Sequence, residues 1–171
     1  MKRYNSIGKE EILAVKKVMK SGILSDYIAN SGKYFLGGKE VKKFEKLACQ
    51  TFKVKYAISV NSWTSGLTVA MGAVGIEPGD EVICSPWTMS ACAMSILHWN
   101  AIPVFVDIDP LTFNLDLNKL KKAISKKTKA IIAVDIFGQS ERVDEIKKIL
   151  KNKKIKIISD AAQAPYAIYK N

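Results

Sequence analysis

Histidine is almost missing from this 171-residue sequence, His98 being the only one, and the three cysteines, Cys49, Cys84 and Cys92, form no C-x-x-C pair. So few nitrogen and sulfur ligands exclude an assembled zinc centre, and no metal is expected. Three thiols are an odd number, and each sits among apolar neighbours. That predicts buried free cysteines in a reducing cytoplasm, not a disulfide framework. Arginine is equally sparse. Only Arg3 and Arg142 occur, although the formal net charge is +11. The positive excess is therefore lysine, which lacks the planar fork used to read bases and grip phosphate. The lysines fall on polar faces of predicted helices without interleaved aromatics, so the sequence predicts a solvated basic surface and no nucleic-acid partner.

Long apolar runs are also lacking. None approaches the roughly 18 residues needed to span a bilayer, and Met1-Lys2-Arg3-Tyr4-Asn5 leads into a polar stretch unlike a signal peptide. No membrane association is expected. The dinucleotide fingerprint G-x-G-x-x-G is absent. The run 32–39 (GKYFLGGK) has P-loop residues at the wrong spacing, with Glu40 where a magnesium-binding Ser or Thr belongs. Nucleoside triphosphate binding there is excluded.

What is present is a 48% hydrophobic, 25% charged sequence with a regular alternation of patterns. Short β-branched runs occur at 56–60 (YAISV), 81–84 (EVIC), 103–108 (PVFVDI), 130–136 (AIIAVDI) and 155–159 (IKIIS). Several are apolar on both faces, which suits a parallel sheet covered by helices on both sides. Between them, 64–74, 117–124 and 143–150 carry apolar residues at helical spacing, as in Leu67, Ala70, Met71 and Val74. Upstream, 10–19 reads as an amphipathic helix through Ile12, Val15 and Met19, stopped near Gly22. The segment 39–52 reads as another, with Val41, Phe44, Leu47, Ala48 and Phe52 facing inward. The intervening segment 21–38 reads as a loop. The fold class expected is α/β.

Three segments could carry chemistry, each at the carboxyl end of a predicted strand, where open α/β sheets bind ligands. In Asn61-Ser62-Trp63-Thr64-Ser65-Gly66 a strand gives way to a helix, so backbone N–H groups and hydroxyls could hold a phosphate. Ser62 or Thr64 would equally serve as an ordinary N-cap. In Ser85-Pro86-Trp87-Thr88-Met89 an aromatic ring could stack on a flat cofactor or pack in the core. In Ser159-Asp160-Ala161-Ala162-Gln163-Ala164 a carboxylate ends a buried strand. It could hold a cationic heterocycle, or cap a following helix.

With those residues in view, the sequence resembles the DegT/DnrJ/EryC1/StrS aminotransferases. These are fold-type I pyridoxal-phosphate (PLP) enzymes acting mostly on nucleotide-linked keto sugars. The resemblance rests on YAISVNSWTSGL, GIEPGDEVICSPWTM, AIPVFVDIDPLTFNLD, TKAIIAVDIFGQ and ISDAAQAPYAIYK in order, with IGKEEILAVKKVMKSGILS and GGKEVKKFEKLACQTFKVKYA upstream. It implies that Trp63 and Thr64 occupy the Gly-Thr positions that bind the PLP phosphate, Trp63 replacing the usual glycine. Asp160 would pair with the pyridine nitrogen and Gln163 would lie near the ring oxygen. Met89 stands where the family has a stacking aromatic, and either Met89 or Trp87 could cover the ring.

The resemblance places the family's cofactor-bearing lysine beyond Asn171, so no catalytic residue is nominated in this chain, and none of its lysines falls between Lys55 and Lys119. The expectation is therefore a partial fold-type I large domain at 56–171 preceded by a helical segment at 1–55. This would be part of a cytoplasmic enzyme, homodimeric when full length, that transfers an amino group from an amino acid, commonly glutamate, to a nucleotide sugar. Relatives with histidine in place of the lysine remove a sugar hydroxyl instead. A dehydratase or a non-catalytic α/β remnant are the alternatives.

Overall fold

The computed structural model describes residues 6–28, 31–32, 34–151 and 153–170. The segments Met1–Asn5 and Asn171, and Lys33 within the glycine-rich run, lie outside the described residues. The chain divides into two compact units, Met1–Ser59 and Val60–Asn171.

The first unit is built on two helices, α1 (Lys9–Ser21) and α2 (Lys39–Phe52). The helix α1 ends where the sequence places its stop, with Gly22 at φ 69°, a left-handed conformation that costs glycine nothing. No helix or strand forms among the described residues of 22–38. Both helices carry the apolar stripes their sequences predict, yet neither has a buried residue. Phe44 is 61% and Leu47 57% exposed. The expectation that they face inward is therefore wrong for this chain. Helical spacing declares which face is apolar, but only a neighbouring surface can bury it. Cys49 is likewise only half-buried, while Cys84 and Cys92 are buried as expected.

The second unit is an α/β layer structure. Its elements are α3 (Trp63–Ala73), β1 (Glu81–Cys84), α4 (Ala91–His98), β2 (Ile102–Phe105), α5 (Leu117–Ala123), β3 (Thr128–Val134), α6 (Val143–Leu150) and β4 (Lys156–Asp160). The strands form one parallel sheet in the order β2-β1-β3-β4. The central strand β3, buried along nearly its whole length, sends alternate side chains to opposite faces. Ala130, Ile132 and Val134 join Leu67 and Met71 of α3 and Cys92 and Ile96 of α4 in one core. Ile131 and Ala133 join Leu120 of α5 and Ile146 and Leu150 of α6 in the other. Helices therefore cover both faces, as the doubly apolar strand runs predict. Trp99 closes the α3–α4 contact by donating its indole N–H to the Thr68 carbonyl at 2.8 Å. Its ring sits so close to Gly72 that a Cβ there would come within 2.5 Å of it.

One expectation fails here, and one element has no counterpart in the sequence reading. The run 56–60 is not a strand. Tyr56 is 75% and Ile58 76% exposed, and no described strand pairs with this segment, so its β-branched residues have no ladder to join. The helix α4 was not anticipated, because its apolar and small residues (ACAMSILH) show little polar contrast from face to face.

Candidate active site at the carboxyl edge of the sheet

The order β2-β1-β3-β4 makes a switch point between β1 and β3. The chain leaving β1 turns to α4 on one face of the sheet, and the chain leaving β3 turns to α6 on the other. Ligands in open α/β sheets bind outside the strands' carboxyl ends at such a divergence. A cavity of about 340 Å³ lies there, lined by Pro86, Trp87, Thr88 and Met89 after β1, Ile136 and Phe137 after β3, and Gln163 after β4. The structure thus brings Met89, Trp87 and Gln163 together around one opening.

Two of the lining rings, Trp87 and Phe137, are joined by Phe113, which stands behind them on a third loop. Trp87 and Phe113 have ring centroids 6.2 Å apart, and Phe113 meets Phe137 edge-on at 5.8 Å. Phe137 and Phe113 both adopt positive φ, 53° and 61°, an uncommon conformation for bulky residues that needs support from its surroundings. Gln163 supplies it for Phe137, whose backbone N–H donates to Gln163 Oε1 at 2.7 Å. This bond fixes the amide orientation and leaves the Nε2 group as the side chain's donor. Met89 is 67% exposed at the rim, so its thioether is available to a flat ligand. Phe113 and Phe137 were not flagged from the sequence. The available signal was Phe137-Gly138 directly after a buried strand end.

Asp160 is the last residue of β4 and only 5% exposed. No helix forms among the described residues that follow it, so the helix-capping alternative is excluded. Its Oδ1 accepts the Ala162 backbone N–H at 3.1 Å and its Oδ2 accepts the Cys92 thiol at 3.6 Å. Thr88, on the cavity wall, stands 3.7 Å from the same sulfur. Among the described residues, no basic side chain lies within ion-pair distance of Asp160. Burial pushes the Cys92 thiol up to about 11 and Cys84 up to about 12. Both therefore stay protonated at neutral pH and are poor nucleophiles. Burial also raises the Asp135 carboxyl above its ordinary range, and the charge of Asp160 adds to this.

Trp63 and Thr64 do not line the cavity. They form the first turn of α3, where Ser62 is the N-cap and accepts the Ser65 N–H at 3.2 Å. The N–H groups of Trp63 and Thr64 have no intrahelical acceptor, as helix geometry dictates, and remain available to an anion. The Trp63 indole lies against Gly66, where a Cβ would approach it within 2.6 Å. This segment follows no strand, so two of the three segments predicted to end a strand do so, and this one opens a helix instead. Among the described residues no cluster of His, Cys, Asp or Glu could hold a metal, and no helix is long and apolar enough to cross a membrane.

Residues 5–171 match the sequence model of the DegT/DnrJ/EryC1/StrS aminotransferase family. The chain is 43% identical over 164 residues to the spore coat polysaccharide biosynthesis protein SpsC of Bacillus subtilis, covering 96% of this chain and 39% of that protein. It is 42% identical over 133 residues to GDP-perosamine synthase of Caulobacter vibrioides, covering 78% of this chain and 36% of the synthase. Among solved structures, an aminotransferase from Psychrobacter cryohalolentis superposes with a TM-score of 0.87 at 32% identity, over 98% of this chain and 40% of that one. A GDP-4-keto-6-deoxymannose-3-dehydratase with a trapped PLP-glutamate geminal diamine superposes with a TM-score of 0.85 at 26% identity, over 98% and 42%. The chain thus spans about two fifths of the length of these relatives.

Proposed function

The chain belongs to the DegT/DnrJ/EryC1/StrS aminotransferase family, and on that ground we propose that it is the cofactor-binding part of a PLP-dependent aminotransferase. Its substrate would be a nucleotide-linked keto sugar and its amino donor glutamate, in surface-polysaccharide or amino-sugar synthesis. The observation that carries this reading is Asp160, a buried carboxylate without a cationic partner among the described residues, which does not itself line the switch-point cavity but is linked to its wall residue Thr88 through Cys92. Such a group fits a protonated pyridine nitrogen, because that cation would supply the missing charge. Residues 56–171 would form the PLP-binding large domain, and 1–55 a helical segment before it.

When bound, PLP withdraws electrons from the carbon that loses a proton during amino transfer. In this chain Asp160 would hold the proton on the ring nitrogen and so maintain that withdrawal. The open first-turn amides of Trp63 and Thr64, with the Thr64 hydroxyl, would hold the phosphate. Met89, exposed at the cavity rim, would lie over the bound ring and keep water from it. Gln163, whose Oε1 is committed to Phe137, presents its Nε2 donor to the ring oxygen. No lysine lines the cavity, and none of this chain's lysines is assigned to proton transfer. The full-length protein is assigned to the cytoplasm as a homodimer.

Titrating the purified chain with PLP should quench tryptophan fluorescence, and Asp160→Ala should weaken that binding at least tenfold, a loss of about 1.4 kcal/mol or more. Equal affinity in the variant would remove Asp160 from the site. The chain alone, given PLP, glutamate and a nucleotide-linked keto sugar, should show no turnover. The likeness to the dehydratase supports a second reading, removal of a sugar hydroxyl. Reading the coding DNA beyond the Asn171 codon separates the two: a lysine after a serine-containing loop sustains amino transfer, and a histidine there selects dehydration.

A further inference from the structure

Cys92 lies in the first turn of α4, fully buried, and it touches the candidate site from behind. Its sulfur is 3.6 Å from Oδ2 of Asp160 and 3.7 Å from the Thr88 hydroxyl, which reaches the cavity wall. A thiol hydrogen is a weak donor in water. Here its acceptor is a carboxylate shielded from solvent, where a hydrogen bond to a charged group is stronger. The other oxygen, Oδ1, takes the Ala162 N–H. Donors from two separate elements, α4 and the turn after β4, thus pin the two oxygens and fix the plane of the carboxylate. Each oxygen keeps lone-pair capacity for a further donor. The remaining titratable neighbours do not compete for this role. Asp135 is itself a carboxylate, and Cys84, beside Cys92, is not hydrogen-bonded to Asp160.

We infer that Cys92 is a positioning residue: its S–H holds the Asp160 carboxylate in the orientation that receives the ring N–H of the cofactor, and Thr88 ties that bond to the cavity wall. The inference rests on the assignment of Asp160 to the pyridine nitrogen.

Infrared spectroscopy of the S–H stretch in the purified chain tests the bond without any cofactor. The band removed by Cys92→Ser should lie at lower frequency than those of the other two thiols, and Asp160→Asn should move it upward. A Cys92 band at the free-thiol position, indifferent to Asp160→Asn, overturns the inference. PLP titration then tests the consequence. Cys92→Val, which fills the space without a donor, should weaken binding roughly fivefold. Cys92→Ser, which restores a donor, should stay within about twofold of the parent chain. Parent-like affinity in a folded Cys92→Val also overturns the inference. If the parent chain binds no PLP, the proposed function falls, and the infrared band alone decides whether Cys92 orients Asp160.

Discussion

The two units of this chain use the same sequence device to different ends. In Val60–Asn171 the amphipathic helix α6 buries Ile146 and Leu150 against the sheet, whereas in Met1–Ser59 the amphipathic helix α2 has no fully buried residue. The apolar stripes are equally regular. What differs is the surface opposite: β3 offers a continuous row of Ile131 and Ala133 to α6. No such row is available to α2 among the described residues of its own unit. Amphipathicity therefore specifies a demand for burial, and tertiary partners determine whether it is met.

That contrast can be broken most directly by truncating one side chain in each unit. Ile132→Ala in the sheet core should destabilise the second unit by about 3 kcal/mol, because it removes methyl groups from a fully packed site. Phe44→Ala in α2 should cost less than about 0.5 kcal/mol, since its ring is already exposed. Urea denaturation followed by circular dichroism measures both. Comparable losses would mean that α2 is covered in solution.

A smaller difference should separate two glutamates. Glu141 is buried, with Oε2 accepting the Leu115 N–H at 3.0 Å and Oε1 accepting the Arg142 N–H at 2.9 Å. In Glu141→Gln the amide nitrogen must face one of those donors, whereas the hydroxyl oxygen of a protonated carboxyl can still accept, so the substitution costs about 1–2 kcal/mol at acid pH. Burial holds the Glu141 carboxyl above its ordinary range. The folded state therefore binds that proton more tightly than the unfolded chain. The stability this gives is present below the ordinary carboxylate pKa and is lost as pH rises through the raised one. The melting-temperature advantage of the parent over Glu141→Gln should therefore shrink as pH rises from acid to neutral. In the first unit, Glu45 among the described residues uses only Oε1, which accepts the Ser59 N–H at 2.8 Å and the Ser59 hydroxyl at 3.0 Å. Glutamine retains that oxygen, so Glu45→Gln should change stability by less than about 0.5 kcal/mol. The smallest effect is expected at the exposed Lys17–Glu40 pair, 3.9 Å apart. Lys17→Ala should leave the unfolding midpoint unmoved within error, as solvent screens such contacts.

Much of the sheet was legible because buried parallel strands write their own signature. Runs such as AIIAVDI are apolar at consecutive positions, and few other structures use that pattern. The run YAISV has a similar composition but is not a strand, because β-structure exists only when a partner pairs with it. At the candidate site, Asp160 stood out as an acidic residue at the end of an apolar strand, and Gln163 and Met89 through the family resemblance. Cys92, Phe113 and Phe137 did not. The first looks like a core thiol, and the two phenylalanines matter only because loops distant in sequence bring their rings together.

By itself, the sequence determined the periodicities, the helix stop at Gly22, the doubly apolar strands and the family. These depend on local chemistry and on patterns read along the chain. Only the tertiary structure decided the strand order, the switch point between β1 and β3, and the thiol beside Asp160. Each of these is a contact between residues far apart in sequence: Cys92 and Asp160 meet because α4 and the end of β4 converge at one edge of the sheet. Local propensity carries no information about such meetings. They are set by which surfaces bury one another.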